Sequence, residues 1–246
     1  MKVGTDGVLL GAWVDLKVEA RSPLHLLDVG TGTGLIALMM AQRLHQMYHN
    51  SCSLSSDSIQ SDFIQRAKID AIEIDEEASI QADENVARSP WPDQVQVIHQ
   101  SIQRYSLETP ARYDLRYDRI VSNPPYFVNS LPAPDPVRSL ARHASSLPLE
   151  ELCPAASRLL KPTGSFSVIL PADQFSRARD LALKEGLACS RCCWVKPMPH
   201  LSPKRVMTTF QSQVDDCSEE ELTLEISRHH LTPEYRLLVE DFYLAS

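Results

Sequence analysis

The chain has 246 residues, 43% of them hydrophobic and 23% charged, which excludes an intrinsically disordered protein. A formal net charge of −8 argues against a protein that coats nucleic acid with its whole surface, although it leaves room for a local basic face. No apolar run is long enough to span a membrane and residues 1–6 lack the apolar core of a signal peptide, so we expect a cytoplasmic protein.

Apolar runs and helical patterns alternate along the first two thirds of the chain. The spacing of the apolar residues predicts strands over 24–29, 69–74, 95–98, 119–122 and 165–170. It predicts helices over 35–46, 75–86 and 149–160, the last of them stopped by residues 161–164. Residues 48–65 contain six serines and little periodicity, which indicates a surface insertion in a loop.

The pattern changes after residue 186. Strands are predicted over 187–196, 205–213 and 221–227 without long helices between them, which favours an antiparallel sheet edge. An amphipathic stretch over 233–244 closes the chain. The regular alternation before this part is typical of a parallel, doubly wound α/β sheet. No linker marks a boundary, so we predict one domain over residues 1–246.

Three glycines follow the first predicted strand in the segment DVGTGTG. Gly30, Gly32 and Gly34 let the backbone turn tightly and let a ligand approach the next helix. Their GxGxG spacing differs from the GxGxxG fingerprint of dinucleotide-binding proteins. Asp28 suits a cationic amine, such as that of S-adenosylmethionine, better than a pyrophosphate, which it would repel. The alternative is a tight strand-to-helix turn without a ligand.

An acid ends the second predicted strand. Glu73 stands where a carboxylate can accept hydrogen bonds from both hydroxyls of a ribose. Asp75, two residues on, is predicted to cap the next helix. For either residue the alternative is a solvated carboxylate at a strand end. The insertion over 48–65 accounts for the long distance between Gly34 and Glu73.

The fourth predicted strand leads into Asn123-Pro124-Pro125-Tyr126. Two prolines fix the backbone and remove two N–H donors. The Pro124 carbonyl and the Asn123 side-chain oxygen therefore offer two acceptors for the two hydrogens of an amino group. Tyr126 offers a flat face on which a base can stack. A plain loop is the alternative, but the two other motifs at neighbouring strand ends favour a catalytic site.

With these three motifs the chain resembles the class I S-adenosylmethionine-dependent methyltransferases, specifically the amino methyltransferases with an Asn/Asp-Pro-Pro-Tyr/Phe motif. The resemblance implies a Rossmann-like fold with a mostly parallel seven-stranded sheet, helices on both faces and S-adenosylmethionine as cofactor. Cofactor contacts are implied for Asp28, the three glycines, Glu73 and Asn123. These enzymes modify adenine N6, guanine N2 or a glutamine amide, so the motif leaves the substrate open.

The N-terminal segment narrows the resemblance. MKVGTDGVLLGAW is similar to the entry segment of the bacterial valine-tRNA adenine-37 N6-methyltransferase family. This implies that residues 1–23 cover cofactor and substrate and that Thr5 contacts the cofactor, the alternative being an amphipathic cover for the sheet. The resemblance covers essentially the whole chain, with further matches at Glu84-Asn85, Ser89-Pro90-Trp91, Arg138, Ala141-Arg142 and Phe242-Tyr243-Leu244.

The chain departs from this family in three places. Members usually begin further upstream, with an aromatic and basic stretch, so we expect this chain to start at an internal methionine or to be truncated, which concerns part of the RNA-facing surface. Ser101, followed by Ile102, stands where members carry an Asp that contacts the adenine amine of the cofactor. A neutral hydroxyl accepts a weaker hydrogen bond than a carboxylate. The insertion over 48–65 is the third departure and is assigned no function.

The resemblance implies that the partner is the anticodon loop of a tRNA. Unstacked loop bases are the parts of RNA that proteins read, and chemistry on a base requires it to leave the stack. Two groups of candidate RNA contacts stand in the sequence, with a solvated surface as the alternative for each. The first group lies in an acid-free segment and consists of Arg191, Lys196, Lys204 and Arg205. The second group follows the Asn123 motif and consists of Arg138, Arg142 and His143.

We therefore expect a monomeric enzyme, with no metal and no membrane partner, that methylates N6 of adenine-37 in valine tRNA. Asn123 and Pro124 would hold N6, Tyr126 would stack the base, and transfer would be direct and in line. One alternative is an enzyme of the same chemistry that acts on a release-factor glutamine or an rRNA guanine N2. Another is a protein that binds the cofactor without catalysis.

Six cysteines are too sparse for a disulfide scaffold. Cys189 and Cys192 form one CxxC pair, and no second pair completes a zinc site. Ordinary reduced thiols are therefore expected, with a redox or metal role as the alternative.

Overall fold

Eight strands form one sheet in the computed structural model, which describes residues 4–17, 23–54, 66–109, 116–125 and 147–243, with the backbone alone for 50–54. The strands are β1 (His25–Val29), β2 (Lys68–Glu73), β3 (Val95–His99), β4 (Tyr117–Ser122), β5 (Leu160–Pro171), β6 (Ala188–Lys196), β7 (Arg205–Gln211) and β8 (Ser218–Thr223). Two short strands, β9 (Glu225–Ser227) and β10 (His230–Leu231), pair separately.

Helices cover both faces of this sheet. One apolar cluster packs α1, α2, α3 and α7 on one face, and a second packs α4, α5 and α6 on the other. The helices are α1 (Thr5–Trp13), α2 (Leu35–Leu54), α3 (Glu76–Arg88), α4 (Ile102–Glu108), α5 (Leu149–Leu159), α6 (Phe175–Lys184) and α7 (Pro233–Val239). Short 3-10 turns follow β5 and α7, at Ala172–Gln174 and Glu240–Phe242. None of the described helices, including the 20-residue α2, is apolar enough over its length to cross a membrane.

The strand order is β3-β2-β1-β4-β5-β7-β6-β8. Strands β1 to β5 are parallel to one another, and β7 runs antiparallel to β5 and β6. This confirms the predicted Rossmann-like α/β class with antiparallel C-terminal strands. The strand number was wrong, because the sheet has eight strands and not seven. The edge strand β8 is parallel to β6. After β7 the chain crosses to the far side of β6 and enters β8 at Ser218, which pairs with Arg191.

The parallel strands β1, β2 and β4 end at the same edge of the sheet. The chain order reverses between β1 and β4, which are neighbours although β2 and β3 lie between them in sequence. Ligands of doubly wound proteins bind at such a reversal, beyond the carboxyl ends of the strands. The hydroxyl of Ser122 at the end of β4 donates to the carbonyl of Val29 at the end of β1, at 2.8 Å, and so holds the two ends together.

Two local predictions were wrong. Helix α2 continues through residues 48–54, where a loop was expected, because Leu44, Met47 and Tyr48 follow one another at helical spacing and pack on the core. The rest of the predicted insertion, 55–65, lies outside the described residues. Helix α5 ends at Leu159 as expected, but residues 161–164, expected to precede the strand, already belong to β5. A Cβ at Gly164 would stand 2.7 Å from the carbonyl oxygen of Tyr117, so this glycine serves a close approach of two strands.

The N-terminal segment forms a buried helix. Helix α1 is buried from Gly7 to Trp13, and only its first turn reaches solvent. It packs against α2 and α7. The guanidinium of Arg43 on α2 donates to the carbonyls of Gly11 and Val14, at 2.8 and 2.7 Å, and satisfies the C-terminal end of α1. Residues 7–13 of the segment are therefore part of the core.

Candidate active site

The segment after β1 forms a turn that only glycine adopts without strain. Gly30, Gly32 and Gly34 have positive φ angles of 70°, 60° and 83°. The amides of Gly30 and Thr31 donate to the carbonyl of Ile72 on β2, at 2.9 and 3.0 Å, and fix the turn to the sheet. The glycines therefore bring a bare backbone to the start of α2, as the sequence predicted.

Asp28 lies beneath this turn with no exposed surface. Its Oδ2 accepts hydrogen bonds from the Thr31 hydroxyl at 2.6 Å and from the Ala37 amide at 3.1 Å. Its Oδ1 is buried without a hydrogen-bond partner among the described residues. Burial, opposed by these two hydrogen bonds, raises the pKa of Asp28 to about 7. An uncompensated carboxylate beneath the turn favours a nearby cation.

Glu73 joins the glycine turn to the end of β2. Its Oε2 accepts from the Gly32 amide at 2.8 Å, and its Oε1 accepts from the amides of Ile74 and Asp75 at 2.9 and 3.0 Å. A carboxylate has about four acceptor sites, so one remains for a ligand hydroxyl. Asp75 caps α3 as predicted, accepting from the Ala78 amide at 2.8 Å.

A cavity of about 410 Å³ lies at this edge of the sheet. It brings together Gly30, Gly32, Glu73, Ser101, Ile102, Asn123 and Pro125 from the predicted site, joined by Gln100, Gln103 and Leu147. Thr5, Asp28, Gly34 and Pro124 are absent from the described lining. The volume is typical of small-molecule sites.

Ser101 and Ile102 stand at the start of α4. The Ser101 hydroxyl accepts from the Arg104 amide at 3.3 Å and so caps this helix. Its second lone pair is available to the cavity. Ile102 is buried and supplies an apolar wall.

Asn123 follows β4 directly and is half-buried at the cavity. Within the described residues, no hydrogen bond uses its amide. Pro124 is buried behind it and Pro125 is exposed. Tyr126, the fourth residue of the predicted motif, lies outside the described residues. The side-chain amide of Asn123 is therefore available to a ligand in the same cavity as the glycine turn.

Helix α1 passes directly over Asn123, a contact that sequence reasoning missed. A Cβ at Gly7 would stand 3.7 Å from Asn123 Nδ2 and 3.1 Å from Leu35 Cδ2. Thr5, the predicted cofactor contact, is the exposed first residue of this helix. A glycine inside an otherwise apolar helix was the available signal.

Asn85 on α3 is a second residue whose role the sequence did not reveal. Its side-chain amide donates to the carbonyl of Thr33 at 2.9 Å and holds the far side of the glycine turn. The residue stood out only as part of the family resemblance.

The basic residues of β6 and β7 are mostly paired with acids from other elements. Nitrogen–oxygen distances are 2.6 Å for Arg191 to Glu220, 2.7 Å for Lys196 to Glu221 and 2.7 Å for Arg205 to Asp6. Lys204 is exposed and has no carboxylate partner in the described part of the chain. The positive charge of this acid-free segment is thus largely neutralised by acids that are remote in sequence.

Lys196, Lys204 and Arg205 nevertheless lie at the same edge of the sheet as the cavity. The start of β7 pairs with the end of β5, at Arg205 and Pro171, and the end of β6 lies beside it. Since β5 is parallel to β4, the β6–β7 connection shares the edge at which Asn123 lies. Arg138, Arg142 and His143, the other predicted RNA contacts, fall outside the described residues.

A larger cleft, of about 830 Å³, opens beside the amino ends of β2 and β3. Lys68, Asp70 and Val95 are among its lining residues. It contains none of the predicted site residues that the structure describes. The cavity at the carboxyl edge is the candidate site on chemical grounds, because the turn, the acid and the amide meet there.

Solved structures resemble this fold. A predicted O-methyltransferase from Agrobacterium tumefaciens superposes with a TM-score of 0.65 at 16% identity, covering 96% of this chain and 95% of that chain. A type I restriction-modification system methyltransferase subunit from Streptococcus thermophilus gives 0.62 at 15% identity, covering 98% of this chain and 52% of that one. The family model described as "RMKL-like, methyltransferase domain" matches residues 25–157. Fold and site together define a class I methyltransferase.

Relatives of higher sequence identity show to which family within this class the chain belongs. The tRNA1(Val) (adenine(37)-N6)-methyltransferase of Bacteroides fragilis is 44% identical over 244 residues, 99% of this chain and 91% of that protein. The protein of the same name from Trichodesmium erythraeum is 43% identical over the same shares of both chains. The chain belongs to the tRNA1(Val) (adenine(37)-N6)-methyltransferase family, which confirms the resemblance seen in the sequence.

Proposed function

We propose that this chain transfers a methyl group from S-adenosylmethionine to N6 of adenine-37 in the anticodon loop of a valine tRNA. The observation that carries the proposal is the position of Asn123. Its unused amide lies in the cavity that also contains Glu73 and the glycine turn. The proposed substrate is inferred from relatives that match 99% of this chain, because their names specify adenine-37 of tRNA1(Val). A tRNA substrate also places the proposed reaction in the cytoplasm.

The residues present fit S-adenosylmethionine, which supplies an electrophilic methyl group when bound. Glu73 has an acceptor site left for a ribose hydroxyl, and Ser101 has one for the adenine amine. The bare backbone of Gly30 and Gly32 lets the amino-acid part approach. The unpartnered oxygen of Asp28 favours a cationic group near the turn. Thr5, Gly34 and Ile102 remain proposed contacts of the same ligand.

Two acceptors would hold the target amine. The Asn123 side-chain oxygen and the Pro124 carbonyl each accept one N6 hydrogen, which directs the nitrogen lone pair away from the ring. Tyr126 stacks on the adenine, and Pro125 limits the movement of the loop. The nitrogen becomes acidic only as it is alkylated, so the proton can leave afterwards without a strong base. Catalysis then rests on positioning and on stabilising the developing charge.

The tRNA would approach across the edge formed by β5, β6 and β7. Lys204, free of an acidic partner in the described structure, is the foremost candidate for a phosphate contact. Lys196 and Arg205 can contact phosphate if they exchange Glu221 and Asp6 for it. Arg138, Arg142 and His143 remain proposed contacts near the target base.

The test is transfer of labelled methyl groups from S-adenosylmethionine to three acceptors in parallel: unmodified total tRNA, rRNA and a release factor. We expect label in tRNA as N6-methyladenosine. Label in rRNA guanine or in protein glutamine would assign the chain to a different substrate. Cofactor binding without transfer to any acceptor would indicate a non-catalytic protein.

Asn123→Ala separates the role of the amide from that of the fold. We expect transfer to fall at least about a hundred-fold, roughly 2.7 kcal/mol, while cofactor affinity stays within a few-fold. Gln103→Ala is the matched control, since this amide lines the same cavity but does not follow β4. Normal turnover in Asn123→Ala would refute the proposed mechanism.

A further inference from the structure

Three of the six cysteines meet in space although they are dispersed along the sequence. Cys189 and Cys192 lie on β6, and Cys217 precedes the first residue of β8. Their three sulfur atoms lie within 4.8 Å of one another. Cys189 and Cys192 are buried, Cys217 is partly exposed, and all three are free thiols.

The sheet itself produces this arrangement. Residues three apart on a regular strand point to opposite faces. A bulge between Cys189 and Arg191 adds one residue to β6 and brings Cys189 and Cys192 to the same face. Strand β8 starts beside Arg191 and runs parallel to β6, which sets Cys217 next to the pair. Cys193, the neighbour of Cys192, packs in the core cluster of the opposite face.

The geometry suits one soft cation. Thiolates bind zinc at about 2.3 Å, so two sulfur ligands of a tetrahedral zinc ion lie about 3.8 Å apart. Sulfur atoms gathered within 4.8 Å meet this requirement after small movements. The 2.8 Å between the sulfur atoms of Cys189 and Cys217 must lengthen, and Cys217 has room for this at the exposed start of β8. That distance also exceeds the about 2.04 Å of a disulfide bond.

We propose that Cys189, Cys192 and Cys217 bind a zinc ion that fastens the edge strand β8 to β6. Binding replaces three S–H bonds with three S–Zn bonds and releases three protons. The fourth position is left for water or for the carboxylate of Glu219, the register partner of Cys192. Strands β5 and β7 separate β6 from β4 and the cavity, so the role is structural rather than catalytic.

The first experiment uses the full chain, purified without a histidine tag and then reduced and freed of metal. After incubation with zinc alone and desalting, elemental analysis should find one zinc ion per chain. Cobalt in place of zinc should give a thiolate-to-metal charge-transfer band. Zinc should raise the melting temperature by several degrees, because it binds the folded state only. A wild-type chain that retains no zinc and shows no such band would overturn the proposal.

Single substitutions locate the site. Cys217→Ser removes the partly exposed ligand, so it should fold while its zinc affinity falls at least about ten-fold. Cys192→Ser should have the same effect. Cys193→Ser is the matched control, because Cys193 is adjacent and equally buried but faces the other way, and it should retain zinc.

Two further outcomes would also refute the zinc site. One is equal zinc retention by Cys217→Ser and Cys193→Ser. The other is a Cys189–Cys217 disulfide formed in air by a chain that binds no zinc when reduced. Methyl transfer should be unchanged in Cys217→Ser, because this residue lies outside the cavity that contains Asn123.

Discussion

Asp28 is the residue whose environment differs most from that of an ordinary surface carboxylate. It is fully buried, one oxygen accepts two hydrogen bonds, and the other has no partner among the described residues. Burial raises its pKa from 3.8 to about 7. Its charge therefore changes near neutral pH, which has consequences for both stability and ligand binding.

The stability of the fold should decrease as pH rises toward neutrality. Between pH 3.8 and about 7 the folded state keeps a proton on Asp28 that the unfolded state has lost. Each pKa unit corresponds to roughly 1.4 kcal/mol. In Asp28→Asn the side-chain oxygen can still accept the hydrogen bonds from Thr31 and Ala37, but the side chain carries no charge. This variant should therefore be more stable than wild type at pH 8. Urea unfolding at pH 5 and pH 8 measures this, and a stability difference that is the same at both pH values would contradict it.

The same substitution tests whether the charge supports the cofactor. We expect Asp28→Asn to bind S-adenosylmethionine about five-fold more weakly at pH 8, roughly 1 kcal/mol, since a cation near the turn loses its counter-charge. Calorimetry provides the measurement. Thr31→Val is the comparison variant, because it removes a hydrogen bond that lowers the pKa of Asp28 but keeps a carboxyl group that can ionise. Equal affinity of wild type and Asp28→Asn would limit Asp28 to organising the turn.

The resemblance to the family implies an acid at the position of Ser101. Asp is as good a helix cap as Ser, so Ser101→Asp should preserve the start of α4. A carboxylate would also accept a stronger, charge-assisted hydrogen bond from the adenine amine. We expect tighter binding of S-adenosylmethionine by about five-fold, or roughly 1 kcal/mol. Ser101→Ala should weaken binding, and the opposite order of the two variants would place Ser101 away from the adenine.

Among the elements of the fold, helix α1 lies beside Asn123 at Gly7, where an added Cβ would stand 3.7 Å from Asn123 Nδ2. The contact depends on the missing side chain of Gly7, since a Cβ there would already meet Leu35 and Asn123. We expect Gly7→Val to displace the Asn123 amide and to lower the transfer rate at least about ten-fold. Gly4→Val is the matched control, because nothing lies within 4 Å of a Cβ at Gly4. Equal rates for the two variants would show that α1 does not restrict Asn123.

The elements that were predicted correctly are those whose own residues carry a clear pattern of apolar and polar positions. Strands β1, β2, β4 and β5 are largely buried and alternate with helices, and the glycine turn and Glu73 follow directly from two of them. The prediction failed where distant contacts decide. Residues 48–54 stay helical because the preceding turn packs on the core, and 161–164 join β5 because Gly164 lies against Tyr117.

The residues of the candidate site also divide into those with a local sequence signal and those without one. Glu73 and Asn123 were found because their chemistry and their position after a strand are both local features. The approach of Gly7 to Asn123 was missed because it joins parts of the chain remote in sequence. The meeting of Cys217 with the CxxC pair of β6 was missed for the same reason. Spacing along the sequence carries no information about such contacts.

Across the whole molecule, the net charge of −8 does not reveal that individual cations are paired with acids. The acids Asp6, Glu220 and Glu221 neutralise three of the four cations of β6, β7 and the connection between them. The fourth, Lys204, is exposed at the edge that holds the cavity. A narrow contact with one RNA loop fits this distribution, whereas broad binding of nucleic acid does not.

Lys204 should therefore contribute more to tRNA binding than its paired neighbours. We expect Lys204→Ala to reduce tRNA affinity and to lower the slope of log affinity against log salt by about 1, since one phosphate contact is lost. Lys196→Ala, which also breaks an ion pair with Glu221, should change that slope less. Filter binding over a range of salt concentrations measures both, and an unchanged slope in Lys204→Ala would exclude the contact.

Methyl transfer to one nucleotide of one tRNA is tested by comparing two RNA substrates. An unmodified valine tRNA transcript and the same transcript with guanine at position 37 are incubated with the chain and S-adenosylmethionine, and the nucleosides are then separated. We predict N6-methyladenosine in the first transcript and no methylation in the second. Equal methylation of both transcripts, or methylation of neither while a protein substrate is labelled, would contradict the proposed function.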